Sequence, residues 1–396
     1  MSMPSPAAAA SSDSGSPLRH RPFLFMLCVA AGAFSGFSLL LPVVPLWVVR
    51  HGADSVVAGA ATGVFMASTV LAQFAVPAFV RAFGYRSGLV LGALLIGVPA
   101  PFLAAFPAAP AVLAISFVRG LGFGLLTVCG SALIAELLPA ALVARGSGLY
   151  GLAVGLPQLV GLPAGTAVVE HWGFGPVFAL ATALPLSAVV PAFGVPRSRP
   201  GDDTTRGGLR GVKDVAVATW RPWLPMLALS TGYGALATFL PIVLSPTVAT
   251  IALLVVPGAA MLTRWLAGHY GDRVAAPGRM LLPALAVGGG GLLGFALVSE
   301  ADGLTVVAVV AVAVFGVGFG VVQNDALVAM FARAPAAEAS VAWNIAFDAG
   351  QGLGAVAVGA LISATTVGVS FTLLAIAASA VLPVVRRVGR RTGPGG

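Results

Sequence analysis

Apolar residues fill this chain in long blocks, and short segments between the blocks hold most of its charge. The first block, residues 23–49, is too long for a signal-peptide core and reads as a retained span. Further blocks follow at 56–80, 89–106, 112–138, 148–169 and 177–195. After a longer break they resume at 224–244, 248–267, 280–298, 304–330, 340–362 and 367–385. Each is about as long as a helix needs to cross a hydrocarbon core. In lipid a helix satisfies its own backbone, so the pattern predicts an all-α membrane protein with twelve transmembrane helices. The long polar interval 197–222 divides it into six-helix units at 23–196 and 223–385. They are flanked by an N-terminal segment, 1–22, expected to be disordered, and a basic tail, 386–396.

Composition supports a lipid environment. The chain is 58% hydrophobic and 9% charged, against about 25% charged residues in soluble proteins. Its net charge of +8 would suggest nucleic acid in a soluble domain. Here the arginines sit in short segments between apolar blocks, so the excess reads as membrane topology and no nucleic-acid partner is expected. With both termini cytoplasmic, in a cell inner (plasma) membrane, all but Arg50, Arg119 and Arg264 of the 21 basic residues lie in cytoplasmic segments. Lys213 is the sole lysine, so the chain has no phosphate-binding GxxxxGK[ST] loop and does not hydrolyse ATP. Cys28 and Cys129 lie in apolar blocks, which gives neither a disulfide framework nor a metal site; no cofactor is expected.

An internal repeat supports the division. Val118-Arg119-Gly120-Leu121-Gly122-Phe123-Gly124 matches Val314-Phe315-Gly316-Val317-Gly318-Phe319-Gly320 at an offset of 196, which also pairs Pro139 with Pro335. A duplicated six-span unit produces such a repeat. Chance recurrence of glycines that let helices pack closely is the plainer alternative.

The segment Arg264-x3-Gly268-x3-Asp272-Arg273, between the eighth and ninth blocks, resembles the second glycine–aspartate–arginine loop of the major facilitator superfamily. The resemblance implies two pseudo-symmetric six-helix bundles, a central cavity near the midplane, and transport by alternating access. It also assigns gating to Arg264, Gly268, Asp272 and Arg273, the acid meeting a helix N-terminus across the interface. The first-half counterpart departs from the pattern, with Pro77 in place of glycine and Arg81 in place of aspartate. Arg119 stands in surroundings similar to the family's fourth-span arginine motif. The segment 343–354 resembles the eleventh span of efflux-type members. The glycines and prolines of 151–165 are loosely similar to a fifth-span motif of proton-driven antiporters.

Polar residues inside apolar blocks are the candidate chemistry. An arginine in a span costs at least about 2.5–3.5 kcal/mol, so Arg119 faces a polar cavity or snorkels about 10 Å to the surface. Asn344, Asp348 and Gln351 form a stripe at i, i+4 and i+7. Asp348 is either the proton-coupling carboxyl or a structural donor between helices. Asp325 either lines the cavity, as a second proton carrier, or pairs with a basic residue such as Arg333. Glu136 reads as interfacial. The four histidines are scattered without HExxH or triad spacing, so no enzyme is expected. The combined expectation is a monomeric, proton-coupled exporter of a drug-like compound or metabolite, with the bilayer, protons and a small-molecule substrate as its partners. Transport of a sugar or similar polar metabolite is the alternative. A membrane-embedded enzyme or receptor would need clustered catalytic residues or a large extramembrane domain, and the sequence has neither.

Overall fold

A computed structural model of the chain describes residues 16–199, 209–274, 276–301 and 303–389, and within them every regular element is helical. A 3₁₀ turn, Pro17–Arg19, leads into α1 (Arg21–Arg50), α2 (Ser55–Gly97), α3 (Phe102–Ala105) and α4 (Ala109–Leu137). The first half closes with α5 (Ala140–Trp172), α6 (Phe174–Ser187) and α7 (Val189–Ala192). The second half runs α8 (Leu209–Val243), α9 (Pro246–Val274), α10 (Leu281–Val298), α11 (Thr305–Phe331), α12 (Ala336–Ala364), α13 (Val367–Ser379) and α14 (Leu382–Gly389).

Eleven described helical stretches are long and apolar enough to cross a membrane. One of them contains two spans. The 43 residues of α2 would extend about 65 Å if straight, roughly twice a ~30 Å core. Gly84 breaks it with φ 80 and ψ 165, a backbone region that only glycine enters without strain. The reversal falls in the polar gap between blocks two and three and makes twelve spans. The chain therefore crosses back and forth so that the first and last described residues and the central break share one end, here the linker end. The turns after α1, α2, α5, α8, α10 and α12 form the distal end.

Two expectations about loops are corrected. The interval 197–222 is not linker throughout, since α8 already begins at Leu209. Val215 and Thr219, one turn apart, are both buried and extend the packed face of α8 toward the linker end. The charged stretch 264–273 is not a loop either, because α9 remains helical to Val274. The chain reverses later, at Gly278 with φ 88.

The glycine repeat sets the packing of both halves. A Cβ on Gly124 would run into Thr69 O and Ala72 of α2, and one on Gly320 into Ala260 O and Thr263 of α9. The middle glycines face another way: Gly122 lies against Gly92 and Leu95, and Gly318 against Ala284 and Gly288. Matching glycines thus admit matching neighbours in each half, which is what duplication requires and chance does not. Close approach of small residues is how helices gain van der Waals contact in lipid, where the hydrophobic effect between them is lost.

The halves meet along α2 with α12, α5 with α9, and α1 with α8. At the distal end they are tied directly. Ser55 Oγ donates to Gly359 O at 2.9 Å, the Thr62 and Thr238 hydroxyls lie 3.0 Å apart, and those of Thr166 and Thr250 3.1 Å apart. Toward the linker end the α5 interface row continues through Gly151 and Gly148, and a Cβ on either would meet nothing within 4 Å. The halves are tied distally, and the face of α5 that carries Gly148 and Gly151 is open at the linker end, while Gly146 and Tyr150 still pack against α4.

Candidate functional site

Near the middle of the fold, one hydrogen bond joins the halves through a carboxylate. Asp348 lies about 18 Å along α12, whose whole length is about 43 Å. Its Oδ2 accepts from Gln73 Nε2 of α2 at 2.7 Å. Both side chains are only 2% exposed. No other cross-half hydrogen bond between described residues engages an ionisable side chain. Gln73 Oε1 has no donor, and neither do both polar ends of Gln351 have partners, although Gln351 is buried one turn along. Ser230 Oγ on α8 is likewise buried and unpaired. Buried polar atoms are nearly always satisfied, and Gln73 and Gln351 leave three carboxamide atoms without a partner on the two helices that meet at Asp348.

Arg119 does not snorkel. It is buried on α4, donating from Nε to Ile96 O at 3.2 Å and from Nη2 to Gly36 O at 3.4 Å. Its guanidinium sits 5.7 Å from the Phe65 ring centroid. Phe65 in turn joins Phe37, Phe123 and Phe34 in a cluster with centroids 4.2–6.3 Å apart. Beside it, Ser116, Thr62 and Phe37 help line a cavity with about 20 Å³ open to the centre of a water-sized sphere, room for one water rather than a substrate. Arg119 and Asp348 are not bonded to one another.

Other expected site residues part company. Asn344 Nδ2 donates to Ser340 O in its own helix at 3.0 Å and does not join Asp348. Asp325 is structural. Its two oxygens accept from Gly278 N at 2.9 Å and Met280 N at 2.8 Å, so it caps the start of α10. Both oxygens are thus engaged by backbone N–H groups, while Arg333 Nη1 donates to Ala329 O and not to Asp325. Glu136 lies exposed at the end of α4, as its interfacial position suggested.

The four gating residues also separate. Arg264 is a mid-helix residue, not a loop residue. Its Nη1 donates to Gln323 Oε1 at 3.1 Å and its guanidinium lies 5.5 Å from the Trp343 ring centroid. Gly268 approaches Asn324 of α11. The side chains of Asp272 and Arg273 lie outside the described residues, so the expected cross-interface lock is left as an expectation. Gln73, Gln323 and Trp343 escaped the sequence reading. The signal was there for Gln73, the one carboxamide in block 56–80, since polar residues in spans are costly and tend to be functional.

A family model, the Major Facilitator Superfamily, matches residues 26–359. Two proteins named "Probable multidrug-efflux transporter", from Mycobacterium tuberculosis strains CDC 1551 / Oshkosh and ATCC 25618 / H37Rv, are each 31% identical over 155 residues. The match spans 38% of this chain and only 33% of those relatives. Among solved structures, the xylose transporter XylE from E. coli, in a partially occluded inward-open conformation, superimposes with TM-score 0.74 at 13% identity, covering 93% of this chain and 98% of its own. An inward-facing bacterial homologue of the human lysosomal transporter Spinster gives 0.74 at 14% identity, with 96% and 100% covered. At such identities the likeness is one of fold.

Proposed function

This chain belongs to the major facilitator superfamily, a multi-pass membrane protein and not an enzyme, and we propose that it exports a small molecule by alternating access in exchange for protons. The observation that carries the coupling is Asp348, buried where the halves meet and bonded to the opposite half through Gln73. Export is supported by the partial relatives, which are named probable multidrug-efflux transporters. The linker end is taken as cytoplasmic in a cell inner (plasma) membrane because the basic segments gather there. Reporter fusions after Arg210 and Arg391 test that orientation: periplasmic activity at either point overturns it.

The hydrogen-bond inventory suggests how proton and conformation are linked. An ionised Asp348 only accepts, so Gln73 Oε1 stays without a donor. A proton on the carboxyl supplies one, and acid and carboxamide then share two hydrogen bonds instead of one. Protonation strengthens the joint between α2 and α12, and deprotonation weakens it. A carboxyl in that joint can take a proton in one conformation and release it in the other. Inverted vesicles with an imposed pH gradient, assayed against drugs and metabolites, test the reading. Accumulation that ignores the gradient for every transported compound overturns the coupling.

A sugar or similar polar metabolite is a second reading. Gln351 favours it, because both ends of its buried carboxamide lack partners and a hydroxyl can both donate and accept.

A further inference from the structure

The repeat gives Gln73 a counterpart. Gly120 and Gly124 lie against Phe65 O and Thr69 O, whereas Gly316 and Gly320 lie against Val256 O and Ala260 O. Both pairs place α2 and α9 at an offset of 191, and that offset carries Gln73 onto Arg264. The offset of 196 between the matching prolines carries Asp348 back onto Leu152 of α5. The joint that is carboxamide to acid on one side is therefore a guanidinium opposite a leucine on the other. Between residues 140 and 169, α5 contains no acid at all. Arg264 keeps the cation and has lost the place from which a counter-charge would come.

What surrounds Arg264 is neutral and aromatic. Among the described residues no carboxylate stands within ion-pairing distance of it. Its one side-chain hydrogen bond among the described residues goes to the neutral Gln323, itself 9% exposed and also accepting from Trp343 Nε1 through its backbone oxygen. A guanidinium has five N–H donors, so most of this one's capacity is unused by the described residues. From Trp343 an aromatic ladder continues to Phe347 at 5.5 Å, Phe319 at 6.0 Å and Tyr233 at 5.0 Å between centroids. Arg264 is half-buried, on the linker-end side of the contacts between α9 and α5, where Gly148 and Gly151 border open space.

We infer that Arg264, with Gln323 and Trp343, is the recognition site for a soluble organic anion with an aromatic body. The carboxylate or sulfonate takes the free guanidinium donors, and the ring lies along the Trp343–Phe347 wall. Such a ligand supplies the charge that α5 lacks, and hydrogen bonds to charged groups are the stronger kind. It is a substrate only if the chain transports, as proposed above; binding requires no gradient, so the two readings fail separately.

The test is equilibrium binding to the full chain in phosphatidylcholine nanodiscs, with empty nanodiscs subtracting partition into lipid. The probes are 2-naphthoate and 2-naphthamide, equal in shape and different in charge. The parent is expected to bind naphthoate about tenfold or more tightly than naphthamide. Arg264→Gln should equalise the two by lowering naphthoate affinity far more than naphthamide affinity, and Arg264→Lys should keep part of the preference. A parent that shows no preference overturns the inference without recourse to any variant. So does an Arg264→Gln protein that still prefers naphthoate. Competition by phosphatidylglycerol, seen in the parent and absent in Arg264→Gln, assigns the site to a lipid headgroup and also overturns it.

Discussion

Replacing Gln73 with leucine removes the only cross-half bond among the described residues that reaches an ionisable side chain, while keeping a side chain of similar bulk. Hydrogen bonds between membrane helices average about 0.6 kcal/mol, and the largest measured are about 1.7. The hydroxyl pair Thr166–Thr250, at 3.1 Å between neutral groups, belongs near the average. The Gln73–Asp348 bond, 2.7 Å long, 2% exposed at both ends and made to a carboxyl, belongs near the top. Its loss should raise the distally open population about seventeenfold, whereas Thr250→Val should raise it about threefold. The readout is maleimide labelling at Thr62→Cys, a position 3% exposed and sealed between the halves in the closed form. Cys28 and Cys129 are replaced by alanine beforehand. Labelling in Gln73→Leu should outpace that in Thr250→Val by several fold. Equal rates would refute the assignment of the larger share of the cross-half stabilisation to the carboxyl joint.

Asp325→Ala should lower the melting temperature by the loss of a helix cap, about 0.5–2 kcal/mol, and leave gradient-driven transport per folded molecule intact. Lost coupling with unchanged melting would return Asp325 to the proton path. Gly320→Ala should destabilise by about 1–3 kcal/mol, because its Cβ would meet Ala260 O, while Gly290→Ala, with nothing within 4 Å, should be neutral or stabilising; equal melting of the two would contradict the packing derived from the repeat. At the distal surface, the Gly368 N–H at 2.9 Å and the Thr366 hydroxyl hold the exposed Glu300 carboxyl below its ordinary value. A depressed folded value means stabilisation above the unfolded value that disappears as pH falls through the folded one. Glu300→Gln should therefore lower the melting temperature at neutral pH, and the difference should close below about pH 4.

The spans were legible because a bilayer leaves so few options: apolar blocks of the right length, charge between them. The repeat was legible because its glycines are fixed by neighbouring backbone, as Gly124 against Thr69 O and Gly320 against Ala260 O show. Asp348 stood out as a charge in a lipid-length block. Its partner did not, because Gln73 is 275 residues away and a carboxamide is a faint signal in a long span. The stretch 264–273 misled because glycine and charge together suggest a turn. The helix runs through them, as tertiary packing overrides local propensity. Asp325 misled for the opposite reason: its depth suggested a cavity, whereas the bonds it makes are to backbone N–H groups only the folded chain brings near.

Coupling through Asp348 is most directly tested by substrate accumulation in vesicles, parent against Asp348→Asn at matched expression. Asparagine keeps the size of the side chain and can still pair with Gln73, but it cannot exchange a proton. One proton crossing 100 mV supplies about 2.3 kcal/mol, enough for roughly a fiftyfold gradient at one-to-one exchange. The parent should approach that ratio under an imposed proton gradient. Asp348→Asn should fall to a ratio near one while still exchanging labelled for unlabelled substrate when no gradient is imposed. If Asp348→Asn accumulates substrate as steeply as the parent, the proton does not pass through Asp348.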